Sequence, residues 1–290
     1  MERMPYGFIK HIENRGYSSE TVKSYQRVCE QFFLFIKNTY LANKEPFQIS
    51  PTDIKNYLEE QLDKEKSIST INKELAILKT LFNFLWEIDK VPVDPAVKLK
   101  RFKNTDDLKI EVPYQQILEI LNKTFHNQSY SPLRKAIFLL ATKGLKTADF
   151  RFKKDDVLIA ENKVEIKLKN RTIYLEEEEA TYFKSYFDET MLNGSEYVFV
   201  TKQHGEETGG PVQVMSILHH LRTISKDYLQ EGAQALTLIS IRRALAYYLY
   251  ASKDPIQMIA KELGIEEISA SNYLKQITEA LQSQNYVVER

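Results

Sequence analysis

Two arginines stand in an otherwise apolar run: residues 238–246 read LISIRRALA and carry Arg242 and Arg243. A guanidinium does not shed its charge, so a buried one needs a partner. Either one of the pair meets an anion, or both lie on a solvated face. Other chemistries have little footing. The five histidines show no metal-ligand spacing with cysteine or carboxylates. His219 and His220 are adjacent, so they point to different faces of a helix and cannot chelate as an i, i+4 pair would. The nine glycines build no phosphate-cradling loop. The single cysteine, Cys29, sits between apolar neighbours in a helical pattern and reads as core rather than as a nucleophile. It excludes an internal disulfide and fits a reducing compartment. No metal and no cofactor are expected.

Composition narrows the partner. Forty basic and forty acidic residues give a formal net charge of +0, so a nucleic-acid surface must be a local patch. Hydrophobic content of 43% is enough to bury a core. The opening MERMPYGFIK lacks a sustained apolar stretch, and no run reaches the ~18–20 apolar residues of a membrane span. The expectation is a cytoplasmic protein with no membrane partner.

The elements that must position the arginines follow from periodicity. SSETVKSYQRVCEQFFLFI has a cap candidate at Ser18 or Ser19, then Val22, Tyr25, Val28, Phe32, Phe33 and Ile36 at helical spacing. A second helix begins at Ser50 or Thr52 and carries Ile54, Tyr57, Leu58 and Leu62. A third, the longest, sets Ile71, Leu75, Leu78, Leu81, Phe82 and Leu85 on one face. About four helices are expected in this part. Pro92 and Pro95 then stop the pattern, and Lys98, Lys100, Arg101 and Lys103 follow as a basic interdomain linker. Beyond residue 110, EVPYQQILEILNKTF and SPLRKAIFLLATKGLKT read as helical. Alternating β-branched residues at Val164, Ile166, Leu168 and then Thr172, Ile173, Tyr174 predict a short antiparallel sheet. Everything after about residue 211 reads as helix.

The order of helical domain, basic linker and helical domain with a small sheet resembles the tyrosine recombinases, or phage integrases, over nearly the whole chain. KGLKTADFRFKKDDV is similar to that family's T-G-L-R-x-S-E-L-x-x-L-x-x-x-D-I segment. LTLISIRRALAYYLYASKDPIQMIAKELGI is similar to its T-P-H-x-L-R-H-T-F-A…L-L-G-H segment, with Ala246 and Leu263-Gly264 in register from Arg242. VDPAVKLK resembles the turn that closes the first domain, with Asp94 in place of Asn. His219-His220-Leu221-Arg222 satisfies a bare H-x-L-R pattern but lacks the downstream Ala and Leu-Gly. The resemblance implies a mainly α, two-domain fold. Residues 1–103 would be a four-helix, SAM-like core-binding domain ending in the basic linker. Residues 104–290 would be a catalytic-type helical domain with a small antiparallel sheet.

The resemblance also implies a chemistry and shows where this chain departs from it. The family cuts and rejoins DNA without metal: a tyrosine attacks the phosphate, two arginines hold its oxygens, and a lysine and two histidines move protons. Groups of this kind are each worth about 10²–10⁴ in rate. Here the first arginine position is Lys146, which keeps the charge but loses the two-toothed grip. Its bracing acid is Asp149. The histidine of H-x-x-R is Ile239, the second arginine is Arg242, and the second histidine or tryptophan is Ile265. Counting from Gly264 places the nucleophile on Leu274, with Tyr273 one residue away and Tyr286 a weaker candidate. Lys167 and Lys169 compete for the hairpin lysine. Ile239, Ile265 and Leu274 together predict a catalytic pocket refilled with apolar atoms.

What remains implied is a frame that binds double-stranded DNA. Its contacts would be Lys146, Arg242, Arg243, Lys167, Lys169, Lys98, Lys100, Arg101 and Lys103 on phosphates, with Asn72, Lys73, Lys79 and Asn83 offered to base edges. Recombinase-fold repressors that maintain lysogeny in SP-beta-type prophages are one resemblance. A divergent recombinase using Tyr273, Lys146, Arg242 and a hairpin lysine is the alternative. The C-terminal helix, near residues 276–290, would dock on a neighbouring copy on DNA.

Overall fold

The computed structural model describes residues 5–40, 44–102, 110–201 and 209–288, with side chains described as far as Leu281. Lys103, the expected boundary at 103/104 and the side chain of Tyr286 lie outside the described residues. The chain divides into two compact units, residues 1–106 and 107–290.

The first unit holds four α-helices: α1 (Phe8–Asn14), α2 (Ser19–Tyr40), α3 (Pro51–Asp63) and α4 (Ile68–Glu87). Sequence chemistry sets their starts. Ser50 and Ser67 each accept a main-chain N–H three residues on, from Asp53 and Thr70, and Pro51 follows the first of these caps. The apolar stripes face inward: Phe32, Ile36, Ile54, Tyr57, Leu75, Leu78 and Phe82 are buried together with Cys29. Two carboxylates are buried with partners. Glu74 accepts from the Tyr57 hydroxyl at 2.9 Å and from Lys66 at 2.6 Å. Asp53 accepts from Tyr40, from Lys44 at 2.9 Å and from the Ser50 N–H at 2.8 Å. Burial pushes its acidity one way, but these bonds outweigh it and carry its pKa down to about 2.

The basic linker is not a free tether. Val91 and Ala96 are buried in this unit, and Leu99 and Phe102 pack against its core. Asp94 accepts the Ala96 N–H at 2.7 Å, making the turn that Asn would make. Asn72 brackets the main chain of Phe102, accepting its N–H at 2.8 Å and donating to its carbonyl at 2.9 Å. Lys79 donates to the Val97 carbonyl at 3.2 Å.

The second unit opens with α5 (Tyr114–His126) and α6 (Pro132–Thr142). The expected helix through Lys143–Thr147 does not form. Gly144 turns the chain at φ +74, and a Cβ there would lie 2.9 Å from Leu245. The sheet follows as an antiparallel meander of β1 (Val157–Ile159), β2 (Lys163–Lys167) and β3 (Thr172–Glu176). Val164 pairs with Leu175 and Ile166 with Ile173, and all four are buried, as period-two alternation requires. Then come α7 (Glu177–Thr190), the short hairpin β4 (Val200–Thr201) and β5 (Gly210–Pro211), and α8 (Val214–Tyr228). Last are α9 (Leu238–Ala251), α10 (Ile256–Leu263) and α11 (Glu267–Val288). Thr237 caps α9, accepting the Ser240 N–H at 3.0 Å. That start fixes which residues of LISIRRALA turn inward: Leu238, Ile241, Arg242 and Leu245.

Candidate phosphate-binding site

Arg242 is 8% exposed, and its partners are main-chain carbonyls rather than an anion. Nη1 donates to the Gly144 carbonyl and Nη2 to the Leu263 carbonyl. The first acceptor lies just past α6 and the second at the end of α10. Both are carbonyls left over where helices stop, and a cation is the favoured group there. Arg242 therefore ties α9 to two neighbouring chain ends. Burial lowers its pKa, while Tyr273 and Asp149 nearby pull the other way.

A second guanidinium, half-buried and missed in the sequence, lies near enough for the two charges to interact. Arg171 follows the two-residue turn Lys169-Asn170 that joins β2 to β3, where the Leu168 N–H meets the Arg171 carbonyl at 2.8 Å. Its Nη2 donates to the Lys143 carbonyl at 2.9 Å, one residue before the Gly144 carbonyl held by Arg242. Burial, then the Arg242 charge, lower its pKa to about 10. Its stem lies over Gly264, where a Cβ would come within 3.0 Å of Cδ. Gly264 itself ends α10 at φ +60, and its carbonyl accepts from Asn170 at 3.4 Å. The sequence signal for Arg171 is weak, an arginine directly after a two-residue hairpin turn, because the glycine that leaves room for its stem is far away in the chain.

Tyr273 joins the cluster and Leu274 does not. Leu274 is 5% exposed and packed in the core, so the residue reached by counting from Gly264 cannot present a nucleophile. Tyr273, one residue and ~100° earlier on α11, is half-buried with Arg243 and Arg242 near its hydroxyl. Burial raises its pKa, only partly offset by the two arginines, so the phenol is held protonated.

The other expected residues fall in three places. Ile239 is 67% exposed, which overturns the refilled pocket: burial was assumed from its apolar type, but the Thr237 cap turns it outward. Ile265 is half-buried against the core. Lys146 is exposed, and its main-chain N–H donates to Asp149 at 2.9 Å, so Asp149 braces the turn after α6. Lys167 and Lys169 are exposed at the hairpin end. In the first unit Lys73, Lys98, Lys100 and Arg101 are exposed, as are Lys23 and Arg27. Asn72 and Lys79 are not free for base edges, because both are bonded to the 97–102 segment. Asn83 donates to Glu87 at 2.7 Å. Other lysines are paired: Lys143 with Glu179 at 2.7 Å and Lys153 with Glu196 at 2.8 Å. Among the described residues no cluster of His, Cys, Asp or Glu could hold a metal, and no helix is long and apolar enough to cross a membrane.

The family described as phage integrase, N-terminal SAM-like domain, matches residues 6–89. Tyrosine recombinase XerC of Roseiflexus sp. (strain RS-1) is 21% identical over 96% of this chain and 90% of its own length. The first unit thus carries a phage integrase N-terminal SAM-like domain, and the chain along most of its length is similar to a tyrosine recombinase. A stronger but shorter likeness is to XerC of Thermodesulfovibrio yellowstonii, 33% identical over 34% of this chain and 35% of that protein. Among solved structures, the Tn1549 transposon integrase in complex with transposon right end DNA shares the fold at a TM-score of 0.69, with 15% identity and 92% of each chain covered. A lambda integrase dimer bound to a COC′ core site shares it at 0.66, also at 15% identity and 92% of each chain. The chain thus shares the fold of these integrases, and the positions where the resemblance expects histidines hold Ile239 and Ile265.

Proposed function

We propose that this recombinase-family chain binds double-stranded DNA at specific sites without cutting it, and serves as a transcriptional repressor of (pro)phage genes. The observation that carries this reading is a buried and a half-buried arginine beside a tyrosine, with isoleucines at the two positions where the resemblance expects a proton relay. Arg242 and Arg243 flank a phenol whose pKa is raised, and neither Ile239 nor Ile265 can take its proton. An attacking tyrosine would have to lose that proton. Affinity would come from phosphate contacts by exposed Lys73, Lys98, Lys100 and Arg101 in the first unit and Lys146, Lys167 and Lys169 in the second.

The test pairs duplex binding with a nicked suicide substrate that traps a covalent tyrosyl–DNA adduct. Binding should weaken about 10³–10⁵-fold between 50 and 200 mM salt if six to ten phosphates are met, with no adduct formed. Genome-wide mapping of bound DNA should then find repeats near promoters rather than one attachment-like site. One observation favours a second reading, an active recombinase: the Arg243 and Arg242 charges lie near the Tyr273 hydroxyl and would stabilise its phenolate. An adduct that forms on the suicide substrate and disappears in Tyr273→Phe would establish that reading and defeat the first.

A further inference from the structure

We infer that Arg171 supplies the second guanidinium of a DNA-phosphate clamp with Arg242, in place of the arginine that Lys146 replaces. This rests on the reading that the second unit meets a DNA phosphate at this pocket. Arg171 is asymmetrically bonded. Nη2 has the Lys143 carbonyl, whereas Nη1 is buried and has no hydrogen-bond partner. Buried donors without partners are rare, and one on a charged group is costlier than one on a neutral group. Arg171 also faces Arg242, and the two charges oppose each other. Among the described residues no carboxylate forms an ion pair with either one. Asp149 and Glu262 act on Arg171 only through their fields.

Two adjacent guanidiniums with an unpaired N–H call for an anion, and the planar fork suits two oxygens of one phosphate. The seat for Arg171 is built into the backbone. Gly264 leaves room for its stem, and the adjacent Lys143 and Gly144 carbonyls hold one Nη of each arginine so that the two heads stay side by side. Because Nη1 is covered, the phosphate reaches it when the guanidinium swings about the Nη2 bond. Lys146 is exposed and is a single point charge, so it cannot make the same two-toothed contact.

The experiment uses the full chain as wild type, Arg171→Gln and Arg171→Lys. Duplex binding is read by fluorescence anisotropy on a mixed-sequence duplex, and thermal midpoint is read with inorganic phosphate against sodium chloride of equal ionic strength. Both variants should bind the duplex about 10- to 100-fold more weakly, and both should lose the phosphate-specific rise in midpoint that the wild type shows. Arg171→Lys keeps the charge, so its loss would isolate the fork. Wild-type affinity in both variants overturns the inference. So does a fall in midpoint with the phosphate increment intact, because Arg171 is then only a tie to the Lys143 carbonyl. A wild type that binds no duplex defeats the proposed function; the phosphate increment, present in wild type and absent from both variants, still decides the clamp.

Discussion

Arg242→Met is the most informative single substitution, because it separates an arginine that holds the fold from one that waits for DNA. Methionine matches the stem in length and adds no charge. It leaves the carbonyls of Gly144 and Leu263 without the donors they now have. A hydrogen bond to a charged group contributes about 1.5–3 kcal/mol, and two are lost. Relief from burying a guanidinium offsets part of this, so a net cost of about 2–4 kcal/mol is expected. For a unit the size of residues 107–290, each kcal/mol lowers Tm by about 2–4 °C, giving a fall of about 5–15 °C. Arg242→Lys should fall by less, since one ammonium keeps the charge but lacks the fork that reaches both carbonyls. Far-UV circular dichroism follows the helices of both units. Trp86, the single tryptophan, lies in the first unit, so its fluorescence is an internal control for damage outside the second. A Tm within about 1 °C of wild type, alongside collapsed DNA binding, would refute the reasoning: Arg242 would then be a ligand-facing group that the carbonyls do not need.

Three further outcomes follow from named contacts. Asp53 has a folded pKa of about 2 against an ordinary 3.8, so its stabilisation is present above pH 3.8 and is lost as pH falls toward 2. Asp53→Asn should cost about 2 kcal/mol at neutral pH and flatten that acid limb in urea titrations followed by Trp86; an unchanged acid slope would count against it. Asn72→Ala removes both bonds to Phe102 and should raise the rate of tryptic cleavage after Lys98, Lys100 and Arg101 by about tenfold or more. Equal rates would show that Leu99 and Phe102 packing alone holds the segment. Gly264→Ala places a methyl 3.0 Å from the Arg171 stem at φ +60, so it should cost about 1–2 kcal/mol. It should also displace Arg171, seen as a smaller phosphate-dependent rise in Tm.

Helices with a strong apolar stripe were legible before any coordinates. The α2 and α4 stripes bury the residues their spacing named, and the β2–β3 alternation buries Val164, Ile166, Ile173 and Leu175. The segment 177–210 carries little pattern in sequence: α7 opens with three glutamates, which hide its apolar face, and β4 and β5 are two residues each. Lys98, Lys100 and Arg101 read as a basic interdomain linker because charge is conspicuous in sequence, while the contacts of Leu99 and Phe102 with the core are not. At the site, linear register located Arg242 but could not say what it touches. Ile239 looked like filling for a pocket; one capping hydroxyl at Thr237 decides that it faces outward.

The same limits explain the fate of the site. Register is one-dimensional, and a single residue on a helix moves a side chain by ~100°, so Leu274 and Tyr273 exchange core and pocket without changing the motif. Arg171 could not be found by motif, because its neighbours Lys143 and Gly264 are 28 and 93 positions away in the chain. Those long-range bonds also give Arg242 a structural role that is independent of any chemistry. Arg242 satisfies the ends of α6 and α10, so replacing it costs stability whatever happens to catalysis. Ile239 holds no such contact: at 67% exposure its position tolerates loss of a histidine with little effect on the fold. If the proposed loss of cleavage holds, an exposed relay would go first and the buried cation last, because only the cation is tied to the ends of two helices.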